Sequence, residues 1–327
     1  MAKHRFQQDK EIADFETITI QQPQDSEGEV VYTLMRLKKE KNSPIVALHV
    51  HGFNDYCFHL ETAQRFDEKG VDWYGIDLRK SGRSFRSHQK FNGLNALEEY
   101  SADLKAALKV IRDEGASFVL LMGHSLGGLA VSLFAAENTG KGWFDAVFLN
   151  SPFYEQNKDI VTKKALIPIV SALAKRFPKL PVPGGFSKFY GPSLHIHEKG
   201  EWDYNLQWKP HVSEMVHASW VRTVYHAQKK FKQGIHIQEP VLVMYPSKSV
   251  RGSKWKEEFH FGDAVVNVND IAGLVHHIHG SVQVNAVENA KHDLFLSVPE
   301  VRQKVVQLLF DWMSPLSLNS LEKKQQQ

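Results

Sequence analysis

The stretch Phe118-Val-Leu-Leu-Met-Gly123-His124-Ser125-Leu126-Gly127-Gly128 constrains this chain most. An apolar run ends in Gly-His-Ser-Leu-Gly, and an Ala/Leu-rich helical pattern follows through Ala136. That order predicts a strand, a sharp turn and a helix. The spacing has a mechanical cause. A turn this tight leaves no room for side chains two residues before and two after Ser125, so both positions are glycine. The Ser125 hydroxyl then stands at the tip of the turn. The Leu126 N–H points to where a negative oxygen would form.

The rest of the chain supplies the matching layers. Phe15–Ile20 and Val30–Leu37 read as an opening antiparallel hairpin around the polar turn Gln21–Glu29. Ile45–Val50 is a short apolar strand, as expected of one buried on both faces. Leu60–Lys69 reads as a helix and Trp73–Leu78 as the next strand. Leu97, Tyr100, Leu104, Leu108 and Ile111 fall on one helical face, and Ala146–Asn150 is another strand. Strands alternating with helices from about residue 45 to 150 predict a mostly parallel central sheet flanked by helices.

Residues 153–235 break this rhythm. An amphipathic run, Ile160–Phe177, leads into Pro178, Pro181, Pro183, Gly184 and Gly185, then an aromatic-rich irregular stretch. A further helical pattern carries Val212, Val216, Trp220 and Val224. The segment reads as a cap inserted over the carboxyl edge of the sheet. The rhythm resumes with strands at Pro240–Tyr245 and Val282–Val287. Ser297-Val-Pro-Glu300 reads as a capping box opening a last helix. The expected organisation is a core of residues 1–152 and 236–320, the cap at 153–235, and a disordered tail at 321–327.

The chain's 327 residues are 42% hydrophobic and 24% charged, values of a globular protein. A net charge of +3 is too mild to argue for nucleic acid. The single cysteine, Cys57, excludes a disulfide framework. The polar N-terminus has no apolar signal region, and no apolar stretch approaches a membrane span. These features lead to the expectation of a cytoplasmic protein. Oligomeric state is not readable.

A serine becomes a nucleophile only when a base takes its proton, and histidine suits that task. Ligands of open α/β sheets bind at the carboxyl ends of the strands. Among the histidines after Ser125, only His292 follows a late strand and precedes the terminal helix. His276, His277 and His279 fall at the opposite edge. A carboxylate must orient the base. No acid follows the strand ending at Tyr245 directly. Asp263, in a short turn, is the first choice. Asp270 is the second and also reads as a helix N-cap, while Glu257 and Glu258 read as a solvated face. Asp293 adjoins His292 and points away from it, as a loop anchor.

An oxyanion needs two backbone donors. Leu126 supplies one, and Phe53, in the loop His51-Gly52-Phe53, is the candidate for the other. His49 and His51 share a strand face but lack a third ligand nearby in sequence, so no metal is expected. Phe186, Phe189, Tyr190, Trp202, Tyr204 and Trp208 read mainly as the cap's own core, with a substrate pocket as the alternative. Between Lys158 and Lys188 stand seven Lys or Arg and one acid, Asp159. A solvated helix face is the plain reading, and a face for anionic head groups the other.

Together, His51-Gly52, Asp77-Leu-Arg-Lys-Ser-Gly-Arg-Ser84, Gly123-His-Ser-Leu-Gly-Gly128 and Lys291-His292-Asp293 resemble the α/β-hydrolases of the monoacylglycerol lipase, lysophospholipase and serine aminopeptidase-like group. The resemblance implies an α/β-hydrolase fold with a cap, Ser125 as nucleophile, His292 as base, and Phe53 and Leu126 as oxyanion donors. One departure stands out. The group carries its acid directly after the strand, where this chain has Lys248, and residues 251–261 look inserted before Asp263. The expected activity is hydrolysis of carboxylic esters without cofactor. The resemblance points to lipid-like monoacyl esters and at most transient contact with a membrane surface. An aminopeptidase or amidase on the same residues would need an acidic group for the substrate amine, with Glu198, Glu201 and Asp203 available. A non-catalytic sensor is the third reading, favoured by Lys248.

Overall fold

The computed structural model describes residues 5–39, 42–185 and 187–325. The N-terminal part is antiparallel. A two-residue strand β1 (Gln7–Gln8) pairs with β2 (Phe15–Asp25), and β2 pairs with β3 (Gly28–Leu37). The hairpin turn is tighter than its polar sequence suggests, because the ladder runs on to Asp25 and Gly28. From β4 (Ile45–Val50) the chain winds through α1 (Leu60–Asp67), β5 (Asp72–Asp77), α2 (Glu98–Asp113), β6 (Phe118–His124), α3 (Leu126–Asn138) and β7 (Ala146–Asn150).

The excursion after β7 contains a π-helical turn at Thr162–Leu166 running into α4 (Ile167–Leu173), then β8 (Pro181–Val182), α5 (Tyr190–Leu194), β9 (Val216–His217) and α6 (Ala218–Phe231). The amphipathic run therefore stops at Leu173 instead of Phe177, and Val212 lies outside the helix that Trp220 and Val224 share. The sheet resumes with β10 (Ile235–Pro246), followed by α7 (Val268–Leu274), β11 (Ile278–Val287) and α8 (Pro299–Gln325).

The nine-stranded sheet has the order β1-β2-β3-β5-β4-β6-β7-β10-β11. From β5 to β11 all neighbours are parallel. β6 is central and wholly buried, which explains its unbroken apolar sequence. One face packs on α2, α3 and α6 through residues such as Leu104, Leu129 and Val224. The other packs on α1 and α8 through Phe66, Val305 and Leu309.

Two expectations are corrected at the C-terminus. Leu321–Gln325 belongs to α8, not to a disordered tail, since Lys and Gln extend a helix already formed. Gln326 and Gln327 lie outside the described residues. Ser297 is not the cap of α8, which begins at Pro299 with Val298 O accepting the Arg302 N–H at 3.1 Å, and its hydroxyl accepts the Lys291 N–H at 2.9 Å. No helix among the described residues is long and apolar enough to cross a membrane.

Candidate active site

Ser125 stands between β6 and α3 with φ 52° and ψ −116°, a conformation non-glycine residues rarely adopt. The flanking glycines explain how the turn closes. A Cβ on Gly123 would lie 2.7 Å from the Gly127 oxygen, and one on Gly127 would lie 2.3 Å from the His51 oxygen. Bonds on both sides hold the strained residue. Its N–H donates to Asn150 O at 3.0 Å, and its carbonyl accepts from Leu129 N–H at 3.1 Å and Phe153 N–H at 2.9 Å.

The topology brings three of the expected residues together. Ser125 Oγ–H donates to His292 Nε2 at 2.9 Å, and His292 Nδ1–H donates to Asp263 Oδ2 at 2.8 Å. All three side chains are buried. The other oxygen of Asp263 accepts the N–H groups of Val265 at 2.7 Å and Val266 at 2.8 Å, so both carboxylate oxygens are engaged.

How Asp263 arrives is visible in the backbone. Its N–H donates to Lys248 O at 2.9 Å, and its carbonyl accepts Val250 N–H at 2.7 Å. The chain leaves the end of β10, loops out, and returns to pair with the residues it left. Residues 251–261 form that loop. Asp270 stands elsewhere, paired with Lys163 at 2.9 Å. It is not the N-cap of α7, a place taken by Asn267.

The loop after β4 lies against the turn. A Cβ on Gly52 would sit 3.0 Å from Ser125 Cβ, so only glycine lets this loop approach so closely. His51 fixes it, with Nδ1–H donating to Gly52 O at 2.7 Å and Nε2 accepting Leu78 N–H at 3.1 Å. Phe53 and Leu126 line the same cavity as Ser125 and His292.

Beneath the base is a network only partly foreseen. Asp293 is the anchor its position suggests. It accepts from His59 Nε2–H at 3.0 Å, Asn150 Nδ2–H at 2.9 Å and its own turn's Phe295 N–H at 3.0 Å. Burial pushes its carboxyl up, but the neighbouring His124 and His59 outweigh this and hold it well below the usual range. His124, packed on the His292 ring at 4.8 Å, is pushed down to about 4 by burial. His49 packs on His59 and Trp73 and is also pushed down by burial.

Asp55, His124 and Asp293 place polar atoms within 4.8 Å of one another. Both carboxylates are already spent, Asp293 as above and Asp55 on Lys209 Nζ at 2.7 Å. The sequence marks no role for Asp55. Nothing in the sequence marked Lys209 as its partner.

The cavity above Ser125 has a volume of about 840 Å³. Leu166, Ile167, Val170, Val182, Val216 and Trp220 supply apolar wall. Of the aromatic residues considered for a pocket, only Tyr190 reaches it. Phe189, Trp202, Tyr204 and Trp208 pack with Tyr56 and Phe58 in a separate cluster, and Phe186 lies outside the described residues. Glu198, Glu201 and Asp203 do not line the cavity either. Glu198 pairs with His211 and Glu201 with Arg302.

A family model described as serine aminopeptidase, S33, matches residues 42–283. The chain belongs to this family of α/β-hydrolases. Among curated proteins no sequence matches it significantly. Three solved structures show the same fold. The monoacylglycerol lipase of Paleococcus ferrophilus has 17% identity and a TM-score of 0.66, over 86% of this chain and 99% of that one. A soluble variant of the Saccharomyces cerevisiae monoglyceride lipase, in complex with a substrate analog, has 13% identity and a TM-score of 0.62, over 91% and 94%. A thermostable carboxyl esterase from Bacillus coagulans, in complex with glycerol, has 12% identity and a TM-score of 0.61, over 92% and 98%. At these identities the likeness is one of fold.

Proposed function

We propose that this hydrolase cleaves carboxylic esters, with lipid-like monoacyl esters as substrates. The observation that carries the reading is the buried relay Ser125–His292–Asp263 opening onto a cavity with apolar walls. Ser125 Oγ attacks the ester carbonyl as His292 Nε2 takes its proton. The negative oxygen of the tetrahedral intermediate is held by the N–H groups of Phe53 and Leu126. The intermediate collapses, and His292 gives its proton to the departing alcohol. Water, activated by the same histidine, then attacks the acyl-enzyme and frees Ser125. Asp263 orients His292 and stabilises its charged form. Residues 153–235 act as the cap that walls the acyl site. The lone buried Cys57 fits a reducing, cytoplasmic setting.

Two rival readings lose support. An aminopeptidase needs a free carboxylate for the substrate amine, and Asp55, the one carboxylate in the lining, is held by Lys209. A non-catalytic sensor was favoured by Lys248 in place of the acid, and Asp263 supplies that carboxylate from the returning loop.

The test is hydrolysis of p-nitrophenyl esters from acetate to palmitate, beside labelling with a fluorophosphonate. The wild type should turn over acyl esters and react with the probe. Ser125→Ala should lose both, and Asp263→Asn should lose about 10⁴-fold in kcat. Unchanged turnover in Ser125→Ala would sink the mechanism. Full activity in Asp263→Asn would remove Asp263 from it.

A further inference from the structure

We infer that the ester taken by this site carries an anionic group, a phosphate or a carboxylate, held by cations of the cavity's lining. The inference rests on the function proposed above and names its substrate class. Its basis is an imbalance in the lining. Lys158, Lys188, Lys209 and Arg251 all line the cavity, against the single carboxylate of Asp55. Asp55 neutralises Lys209 alone, in a buried pair at 2.7 Å. Three cations are left over.

None of the three has a carboxylate partner among the described residues. Arg251 Nη2–H donates to the neutral amide oxygen of Asn157 at 2.5 Å, which leaves most of its five N–H donors for another acceptor. Lys188 stands 5.0 Å from the centre of the Phe189 ring. Lys158 is next to Asn157 in the chain and, like Lys188 and Arg251, is exposed at the cavity's edge. The Phe189 ring beside Lys188 packs on Trp255 and Phe259 of the 251–261 loop, at 6.2 and 4.9 Å. By contrast Lys163, on the same exposed run as Lys158, is spent on Asp270.

The loop that returns Asp263 to His292 also delivers Arg251 to the cavity. Uncompensated cations beside an apolar wall match a ligand with a hydrocarbon part and an anionic part. A neutral monoacyl ester would leave the three charges unused.

The anion has two possible places in such an ester, on the alcohol or at the far end of the acyl chain. The experiment therefore compares three substrates of equal acyl length. They are a monodecanoylglycerol, the same ester of glycerol phosphate, and the glyceryl monoester of decanedioic acid. Wild type and the triple variant K158Q/K188Q/R251Q are assayed at low and high salt. A control variant, K105Q/K141Q/K304Q, removes three exposed cations that do not line the cavity.

At low salt, kcat/KM of wild type for one anionic ester should exceed that for the neutral ester by about tenfold. That ratio should fall to near one in the triple variant and in high salt, and persist in the control. The preferred anionic ester identifies where the anion sits. A wild type that prefers the neutral ester, or a folded triple variant that keeps the preference, overturns the inference. If the fluorophosphonate labels Ser125 while the neutral ester wins, only the charge inference falls. If Ser125 neither labels nor cleaves any ester, the hydrolase reading falls with it.

Discussion

The two halves of the excursion between β7 and β10 are attached to the core in opposite ways. The inner half, residues 187–211, is bolted down by polar contacts around the base. Lys209 pairs with Asp55, Asn54 Nδ2–H donates to Pro210 O at 2.7 Å, and Asn205 N–H donates to the Tyr56 hydroxyl at 2.8 Å. Lys291, beside His292, donates to Ser193 O at 2.7 Å, and Tyr190 meets the His292 ring edge-on at 5.8 Å. The outer half, residues 160–180, shows the reverse. Ile169 is 55% and Phe177 54% exposed, and its tie through Lys163 to Asp270 lies near the surface. His292 stands within hydrogen-bond reach of Ser125, and the half that touches it is the tightly held one. The half that supplies apolar wall to the cavity has fewer buried anchors, so it is the less tightly held of the two.

Breaking the inner clasp should have the largest effect. Lys209→Met leaves the Asp55 carboxylate buried without its cation, a change that typically costs about 3–5 kcal/mol. Urea unfolding should show that loss, and Lys209→Met with Asp55→Leu should recover most of it. A loss below about 1 kcal/mol in the single variant would mean that the inner half is not held through this pair.

The same contrast governs what the sequence discloses. The elbow at Ser125 and the strands Ile45–Val50 and Ala146–Asn150 are legible because a local apolar run or a steric spacing dictates them. The fixed half is not, because Lys209 and Asp55, or Asp293 and His59, meet only when distant segments fold together. Asp263 sits between these cases. Elimination among nearby acids selects it, but the pairing with Lys248 and Val250 that returns it to His292 is invisible in the residue order. β10 and β11 begin earlier than their apolar runs suggest, because Ile235 and Ile278 already pair across the ladder. Ser297 shows the opposite failure. A motif of the right spacing is present, and its hydroxyl is used elsewhere.

Acid should loosen the core before the outer half. His49, His51 and His124, at the ends of β4 and β6 in the core, are buried and held by burial below their ordinary value near 6.5. Unfolding lets each bind a proton at its ordinary affinity, so the unfolded state binds more protons in this range. The stabilisation is complete above about pH 6.5 and is lost as pH falls, for His124 down to about pH 4. His124 alone accounts for a loss on the order of 3 kcal/mol. Asp293, held low, adds its own loss only at still more acidic pH. His226, in α6 against the outer half, is also shifted down but is far more exposed, and contributes little. Urea midpoints at pH 7 and 4.5 should differ accordingly, and His124→Asn should flatten the slope. An unaltered slope in His124→Asn would place the titrating group elsewhere.

The smallest effect should come from the outer face. Ile169→Ser and Phe177→Ser each replace a side chain that is more than half exposed, and such changes usually stay within about 0.5 kcal/mol. Thermal unfolding of both variants should overlay the wild type. A drop above about 1 kcal/mol in either would mean that these side chains are covered in solution. The outer half would then be anchored as firmly as the inner, and the less tightly held wall would have to be sought in the Pro183–Gly185 turn, which also lines the cavity.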